Sequence, residues 1–550
     1  MTRPLAVALV ALIAGFASAQ TAADTPAAQH VRALTGRGAA QTAAAIEIAK
    51  LRDADADMAI QALLDRNLHT YTDAAGETIA VVAGETAADG RVPLRHAYGG
   101  APVVDAAGAH VAVPEDALTA VTAGRKLRKL GRELLRLNGP DPQARRSAAF
   151  FLGRQQDDTL MPLLMAARDS ERAKWTLRGI DEAIEVTRLA DEDPQVRARA
   201  VERLAALHSG YALNEFGKAL EAGSETDADV VEAMRRAVAR IERWGILTDV
   251  VQTTWNGLSL ASILGVIAVG LAITFGLMKV INMAHGELML IGAYATYLVQ
   301  AGFKSSLPAS AFAMYPIVAI PVAFVTAAVL GVILEHLIVR HLYGRPLDTL
   351  LATFGVSLGL QQLARHTFGA QNVDIASPGW LTGGWQIITG VVLPYNRLYI
   401  LALSVACIVG TYAVLLRSGA GLRIRAVTQN RQMSACLGIA TRKVDRWTFA
   451  FGSGLAGVGG CALSQLGNVG PDLGQTYIID AFMVVVLGGV GKLAGVVCGA
   501  FMIGGGNKIL EGMTSSPVAG KVLVLVALIL FLQKRPLGVF PDKGRHEESA

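Results

Sequence analysis

The sequence predicts an all-α protein in which about eight or nine membrane-spanning helices follow a mainly helical domain outside the membrane. Hydrophobic residues make up 52% of the 550 residues and the mean hydropathy is +0.41, well above the values of an ordinary soluble protein. Residues 20–248 carry a net charge of −4, whereas residues 249–550 carry +8. The uncharged run 251–278 is longer than the roughly 20 residues that cross a bilayer. These observations separate a soluble half from a membrane half.

Runs with little or no charge predict nine spans in the second half, at about 20 residues for each crossing. Some of these runs are short or interrupted by glycine, so one or two could re-enter the membrane without crossing it. The predicted spans cover residues 252–278, 281–301, 312–338, 347–364, 397–416, 447–467, 476–491, 493–511 and 516–533.

Basic residues in the short connections predict the orientation of the spans. The connection between the fifth and sixth spans, residues 417–446, contains seven Lys or Arg residues and one Asp, so we expect it to be cytoplasmic. Lys534 and Arg535 predict a cytoplasmic C-terminus in the same way. With nine spans, residue 249 then lies outside the cytoplasm. This distribution of basic residues is typical of membrane orientation, so no nucleic-acid partner is expected.

The N-terminus has the pattern of a secretory signal peptide. Arg3 precedes a short apolar run, residues 5–15, and residues 17–19 form a typical A-x-A cleavage site. The apolar run is short for an uncleaved membrane anchor, which is the alternative. The predicted organisation is therefore a signal peptide, a periplasmic domain, a transmembrane domain and a cytoplasmic tail. Their predicted ranges are 1–19, 20–248, 249–535 and 536–550.

The predicted periplasmic domain contains a weak internal repeat. The segment DPQAR at 141–145 returns 52 residues later as DPQVR at 193–197, and each copy is followed by Ala and Leu at helical spacing. This pattern resembles HEAT-like helical repeats, which stack helices into a curved binding surface. One helix-start motif used twice is the alternative. Residues 71–113 alternate turn residues with β-branched runs and predict a small insert of strands. No catalytic constellation is present, so a docking or scaffold role is expected.

Polar residues interrupt the second predicted span. Asn282, His285 and Glu287 lie in an otherwise apolar stretch, where ionisable groups are costly and mostly face a bundle interior or a wet pathway. We therefore predict that they line a substrate path, and a local polar plug at a helix start is the alternative. Asp480, at the outer start of the seventh span, is a further candidate for the path or else caps its helix.

Two glycine motifs resemble nucleotide sites but lack the required context. Residues 452–457 match G-x-G-x-x-G, yet no strand precedes them and the surrounding run is uncharged. We expect Gly452, Ala456 and Gly460 to serve close helix packing instead. Residues 488–492, GGVGK, lack the first glycine and the Ser or Thr of a phosphate-binding loop. No ATP site, cofactor or metal is therefore expected in this chain.

Several motifs together resemble the branched-chain amino-acid ABC permease family. They are INMAHGE at 281–287, GAY at 292–294, an R-x-x-x-x-R-P-L turn at 340–347, RAVTQN at 425–430 and ACLGI at 435–439. The resemblance covers roughly residues 250–540. The signal peptide and the long helical extension are similar to those of the B-type permease subunits of urea importers, because typical amino-acid permeases of the family lack such an extension.

The resemblance implies a transport subunit of the bacterial inner membrane and not an enzyme. It implies as partners a second permease subunit, two cytoplasmic ATP-binding subunits, a periplasmic substrate-binding protein and the lipid bilayer. It also implies that residues 419–446 contain the helix that couples the permease to an ATPase, with candidate contacts at Arg425, Asn430, Ala435 and Gly438. Of these, Ala435 and Gly438 loosely match the E-A-A-x-x-x-G motif of such loops.

Urea is the expected substrate, because it is small, neutral and rich in hydrogen-bonding groups, and few ionisable residues lie within the spans. The expected mechanism is alternating access driven by ATP binding in the partner subunits. A branched-chain amino acid or a short amide is the alternative substrate.

A membrane sensor with a periplasmic receptor domain is a weaker alternative, because no cytoplasmic signalling domain is present. An intramembrane enzyme is weaker still, because no acid–base cluster completes a site around His285 and Glu287.

Overall fold

A computed structural model describes residues 25–540, except residues 74–75, 88–89, 106–107, 279, 344, 490 and 537 and the side chain of Leu277. The predicted signal peptide and most of the predicted tail lie outside the described residues. The chain divides into two compact units between Trp244 and Gly245, whereas composition predicts the boundary after residue 248. Each unit has its own hydrophobic core.

The first unit consists of helices with one antiparallel sheet inserted among them. Asp and Thr side chains cap several of its helices by accepting hydrogen bonds from free backbone N–H groups. The helices are α1 (Pro26–Ala33), α2 (Ala39–Leu51), α3 (Ala54–Leu64), α4 (Arg125–Asn138), α5 (Pro142–Gly153), α6 (Met161–Ser170), α7 (Lys174–Arg188), α8 (Pro194–Ala206) and α9 (Gly210–Ala222). The strands are β1 (Leu68–Thr72), β2 (Thr78–Ala83), β3 (Arg91–His96), β4 (Ala112–Pro114) and β5 (Thr119–Ala120). Short 3₁₀ turns cover Glu115–Ala117 and Asp158–Leu160.

The five strands form one antiparallel sheet in the order β4-β3-β2-β1-β5. The turns that join β1 to β2 and β2 to β3 contain Gly76 and Gly90, whose φ values of 83° and 77° favour glycine. Leu68 of this sheet joins the core of the neighbouring helices, whereas Val81 and Leu94 belong to a small separate cluster. The predicted strand insert is confirmed, and it extends over residues 68–120.

The internal repeat is a structural repeat of three helices. The Arg145 guanidinium in α5 donates to both carboxylate oxygens of Glu171, which precedes α7, at 2.7 and 3.0 Å. Arg197 in α8 makes the same paired contact with Glu225, ahead of the next long helix, at 3.0 and 2.9 Å. Hydrogen bonds from these guanidinium groups hold the pKa values of Glu171 and Glu225 below their usual range. In each copy of the repeat, an Arg–Glu ion pair therefore connects the first helix to the residues just before the third helix.

The second unit consists of helices packed side by side, with one short β-hairpin. Helix α10 (Ala228–Met278) begins in the first unit and continues into the second. The further helices are α11 (His285–Ser306), α12 (Tyr315–Leu337), α13 (Pro346–Phe368), α14 (Tyr395–Arg417), α15 (Gly419–Gln429), α16 (Arg431–Cys436), α17 (Thr441–Ser464), α18 (Leu473–Gly488), α19 (Leu493–Thr514) and α20 (Pro517–Lys534). The hairpin strands are β6 (Gly384–Ile388) and β7 (Val391–Pro394), and 3₁₀ turns cover Ala309–Met314 and Val339–His341.

Each of the nine predicted spans coincides with a helix of this unit. Within the described residues, five helices are long and apolar enough to cross a membrane by length and composition, namely α10, α12, α14, α19 and α20. Helix α18 is apolar but has only 16 residues. Helices α11, α13 and α17 are more polar, and many of their small and polar residues face other helices. The predicted class, a mainly helical polytopic membrane protein, is confirmed.

Helix α17 lies at the centre of the second unit. It packs against α11 and α12, and from Thr448 to Ser464 every residue except Phe451 is buried. An added methyl group at Gly457 would overlap the carbonyl oxygen of Ala323 on α12. Helix backbones therefore approach each other more closely here than larger side chains would allow.

The three small residues that the sequence singles out on α17 all lie in this interior. Gly452 lies against Gly270 of α10, and a methyl group on either would overlap the carbonyl oxygen of the other. Gly460 lies against the backbone of Met289 on α11. Ala456 has no exposed surface. This geometry is typical of close helix packing in lipid.

We predict that Gly460→Ala lowers the thermal stability of the protein in detergent. The methyl group would overlap the Met289 carbonyl oxygen, and such overpacking costs about 1–3 kcal/mol. Gly410 on α14 has open space around it, so Gly410→Ala is the matched control. The control should be neutral or stabilising, because Ala favours a helix over Gly by about 1 kcal/mol. Equal unfolding temperatures for the two variants would contradict the packing role.

Candidate functional site

The membrane unit contains a break between α10 and α11. Residues 280–284 are not helical, and Asn282 within them has no exposed surface. The Asn282 side-chain oxygen accepts a hydrogen bond from the backbone N–H of Ala284 at 3.1 Å. Irregular backbone at membrane depth is tolerated where it is buried in protein or lines a cavity, so this break marks a candidate site.

A row of polar side chains on α13 faces the break. Its members are spaced four residues apart, which places them on one face of the helix, and each is at most 6% exposed. This polar row consists of Thr349, Thr353, Ser357 and Gln361. The Thr353 hydroxyl accepts a hydrogen bond from the backbone N–H of Met283 at 3.0 Å, so it satisfies a donor that the break leaves free. The opposite face of α13 is apolar and exposed, as at Leu347 and Leu351.

Glu287 connects the polar row to the first turn of α11. Its carboxylate oxygen Oε1 accepts hydrogen bonds from the Ser357 hydroxyl at 3.1 Å and from the Gln361 amide at 2.8 Å. Glu287 is 1% exposed. Its second oxygen, Oε2, has no hydrogen-bond partner among the residues that the structure describes. A buried acceptor without a partner is costly, so Oε2 is available to a donor other than the described residues.

Two glycines bring the first turns of α11 and α18 together beside Glu287. A methyl group on Gly286 or on Gly474 would overlap the carbonyl oxygen of the other, and a methyl group on Gly474 would also lie within 2.7 Å of Glu287 Oε2. The first turn of a helix carries a partial positive charge on its free N–H groups. Burial disfavours a negative charge on the Glu287 carboxyl group, whereas the meeting of two helix starts favours it.

His285 contacts a different neighbour. Its Nε2 lies 3.1 Å from the carbonyl oxygen of Ile267 on α10, so Nε2 carries the proton and donates. The ring has no exposed surface, and its Nδ1 has no partner among the described residues. The structure therefore separates His285 from Glu287, although they lie two residues apart in the sequence.

Asp480 lies apart from the polar row. It is 1% exposed, and the Lys521 ammonium of α20 approaches its Oδ2 at 3.0 Å. The same ammonium lies 5.2 Å from the centre of the Tyr477 ring. Asp480 therefore has a local partner in the α18–α20 contact, and it lies in the middle of its helix, not at the helix start that the sequence analysis expects.

A charged pair continues the polar row by one further turn of α13. Arg365, four residues after Gln361, donates to the Asp472 carboxylate at 2.6 Å just before α18. Both side chains are partly exposed, at 41% and 66%. Within the described residues, no group of three or more His, Cys, Asp or Glu side chains could hold a metal ion. The cluster is thus a row of hydrogen-bonding groups that ends in one ion pair.

The polar row and the Arg365–Asp472 pair are not among the residues predicted from the sequence. Hydroxyl and amide residues recur at every fourth position of the predicted span 347–364, and this recurrence is the signal that could have found the row. The contact with Glu287 leaves no such signal, because it joins residues about 70 positions apart. Only the packing of α11 against α13 reveals it.

The connection between α14 and α17 contains the residues predicted to contact an ATPase. The Arg425 guanidinium donates to the Leu415 carbonyl oxygen at 2.9 Å. The Asn430 side chain caps the start of α16. Ala435 lies on α16 and Gly438 follows it with a φ of 83°, and both are exposed. The connection therefore folds as two short helices, α15 and α16.

Helix α16 presents apolar side chains to its surroundings. Met433 is 57% exposed and Leu437, directly after the helix, is 76% exposed. Arg431 at its start forms an ion pair with Asp445 in α17, which fastens this short helix to the central helix. An exposed apolar surface held on a rigid support is typical of a protein interaction site.

Comparison with known proteins identifies the family. Residues 253–532 match the family model described as branched-chain amino acid transport system / permease component. The match spans about half of the chain, and the chain belongs to this family. It is a transport component and not an enzyme, and its family and apolar helices indicate a multi-pass protein of the inner membrane.

Three similar proteins have names that describe transport permeases. The high-affinity branched-chain amino acid transport system permease protein BraD of Pseudomonas aeruginosa is 28% identical over 300 residues, which cover 53% of this chain and 95% of BraD. The permease protein LivH of Salmonella typhimurium is 29% identical over 314 residues, covering 54% and 96%. A probable LivH of Methanocaldococcus jannaschii is 25% identical over 302 residues, covering 51% and 89%. No solved structure matches this chain.

We predict that Glu287→Ala destabilises the membrane unit. The change leaves the Ser357 hydroxyl and the Gln361 amide without their acceptor, at a cost of about 1–3 kcal/mol for each group. Glu287→Gln retains an oxygen at this position and should cost less. Thermal unfolding in detergent measures the difference.

The matched control for this prediction is Glu511→Ala. Glu511 pairs with Lys508 at a partly exposed position of α19, where an ion pair contributes less than about 1 kcal/mol. The same unfolding temperature for Glu287→Ala and Glu511→Ala would mean that the Glu287 hydrogen bonds do not stabilise the unit.

Proposed function

We propose that this chain is the membrane permease subunit of an importer for urea, and that Glu287 and the polar row contribute to the path that urea takes. The observation that carries the proposal is the free oxygen of Glu287. It is buried, has no partner among the described residues and lies beside neutral hydroxyl and amide groups. The proposed mechanism is alternating access, in which the spans switch between outward-open and inward-open states.

The chemistry of this cluster suits a small neutral amide. Urea offers N–H donors on both nitrogens and one carbonyl acceptor, the same groups as the side-chain amide of Asn or Gln. The free oxygen of Glu287 accepts from such N–H groups, and the hydroxyl of Ser357 can donate or accept. No described Lys or Arg forms an ion pair with Glu287, so the cluster offers no cation to bind the carboxylate of an amino acid.

The first unit supports the same proposal. The permeases BraD and LivH align over 89–96% of their own lengths but over only 51–54% of this chain. The matched region is the second unit. The first unit is a long helical extension, which we propose to be periplasmic. In having this extension the sequence resembles the urea-type permeases and differs from typical amino-acid permeases.

A branched-chain amino acid is the second candidate substrate. The names of the similar permeases favour it. The Arg365–Asp472 pair also favours it, because a cation and a carboxylate that are partly exposed beside the polar row could bind the two ends of a zwitterion. This candidate uses the ion pair as its recognition element, whereas the urea proposal uses Glu287 Oε2.

We propose that the chain works with a second permease subunit, two ATP-binding subunits and a periplasmic substrate-binding protein. Permeases of this family generally act in assemblies of this kind. The surface proposed for an ATPase is the pair of short helices α15 and α16, with Arg425, Asn430, Ala435 and Gly438. The exposed side chains of Met433 and Leu437 supply apolar area, and the Arg431–Asp445 pair would transmit a push on α16 to α17.

Uptake by cells tests the substrate directly. Cells that lack this gene, with urease inhibited, should lose uptake of radiolabelled urea at micromolar concentration and keep uptake of leucine. Restoring the chain should restore urea uptake. Loss of leucine uptake with urea unchanged would reject urea and support the second candidate.

A matched pair of variants tests the path. Gln361→Leu should lower urea uptake by about fivefold to tenfold, the factor that follows from loss of one buried hydrogen bond of about 1–1.5 kcal/mol. Leu351→Ala, on the opposite face of the same helix, should leave uptake unchanged. Equal effects of the two variants, at equal amounts of protein in the membrane, would contradict a role of the polar row in transport.

A further inference from the structure

We propose that helix α4 of the first unit is a docking surface for the anionic headgroups of the membrane to which the chain belongs. Helix α4 has the sequence RKLRKLGRELLRLN and holds six cationic side chains and one carboxylate in 14 residues. Its apolar face is already occupied, since Leu127, Leu134 and Leu137 are buried in the core of the unit. The free face can therefore contact a partner by charge and hydrogen bonding, but it cannot insert into a bilayer as a free amphipathic helix would.

Most of the charge on this face is not used within the unit. Arg136 pairs with Glu133 at 3.2 Å. Among the described residues, Arg125, Arg128 and Arg132 form no ion pair with a carboxylate, and the Nε of Arg128 is buried without a hydrogen-bond partner. The charges of these three guanidinium groups are therefore not neutralised within the described residues, and they can attract an external anion.

These arginines line a groove and do not stand on a flat surface. The cavity has a volume of about 830 Å³ and lies between α4 and the end of α3. It is lined by Gln61, Leu64, Asp65, Arg125, Arg128, Arg132, Glu133, Leu135 and Arg136. Four guanidinium groups face two carboxylates, so the groove keeps a net positive charge. The planar guanidinium fork matches the paired oxygens of a phosphate, which is the charged group of a phospholipid.

Two features of the chain favour a lipid surface as the occupant. Seven residues lie between Trp244 and residue 252, where the first predicted span begins, and because they belong to α10 the distance along the helix is only about 12 Å. The end of the first unit is therefore held near a bilayer at high effective concentration. Residues 20–248 carry a net charge of −4, so an anionic surface repels the rest of the unit and attracts the α4 face.

Arginine modification in nanodiscs tests the proposal with the full-length protein. The reagent is phenylglyoxal, and mass spectrometry follows Arg125, Arg128 and Arg132, with the exposed Arg199 and Arg235 of the same unit as internal controls. We expect the α4 arginines to react about fivefold more slowly in discs containing phosphatidylglycerol than in phosphatidylcholine discs. This factor corresponds to the attraction of about 1 kcal/mol that each cation gains near an anionic lipid surface. The protection should disappear near 1 M salt, where the Debye length falls to about 3 Å.

A matched pair of variants separates specific docking from general attraction. Arg125→Gln should reduce the protection of Arg128 and Arg132, whereas Arg235→Gln, which removes the same charge elsewhere in the unit, should not. Equal reaction rates in the two lipids, or equal effects of the two variants, would overturn the proposal. Protection by added polyglutamate in phosphatidylcholine discs, without protection by phosphatidylglycerol, would also overturn it and would assign the groove to an acidic protein surface.

Discussion

The membrane unit depends on the way it accommodates the buried carboxylate of Glu287. A carboxyl group with 1% exposure in an apolar helix bundle is tolerated only if the protein replaces the hydrogen bonds to water that the group loses. The structure does so with two side-chain donors from α13 and with the first turns of α11 and α18, which meet at Gly286 and Gly474. This arrangement fixes where α11 begins, which face of α13 turns inward and how closely α18 approaches.

Close backbone packing makes that arrangement possible. Contacts such as Gly286 with Gly474 and Gly452 with Gly270 let helices approach so closely that a carbonyl oxygen of one helix would overlap a Cβ atom on the other. In lipid, helices associate through such packing and through hydrogen bonds between helices, because apolar burial alone gives no preference for helix over lipid. The same packing explains why α11, α13 and α17 are less apolar than a typical span. Their polar and small residues face the bundle.

The sequence predicted the helical class, the helices of the membrane unit and the repeat of the first unit. These features follow from local patterns: uncharged runs, capping residues and the returning DPQ segment. Sequence reasoning also placed Asn282, His285 and Glu287 together, because they are neighbours in the chain. The structure separates them, since His285 contacts α10 and Glu287 contacts α13. The partner of Asp480 could not be predicted either, because Lys521 lies two helices away in the sequence.

The central claim is that the polar row beside Glu287 faces a path for substrate. Cysteine accessibility at position 357 tests it most directly, in a transport-competent variant whose four native cysteines are replaced. We expect Ser357→Cys to react with a small water-borne thiol reagent during transport, and urea to slow that reaction. Leu351→Cys, on the opposite and exposed face of α13, should react slowly and without protection, because thiol reagents need water to react. A Ser357→Cys variant that transports urea but never reacts, or reacts without protection by urea, would contradict the account and leave the Glu287 cluster a purely structural feature.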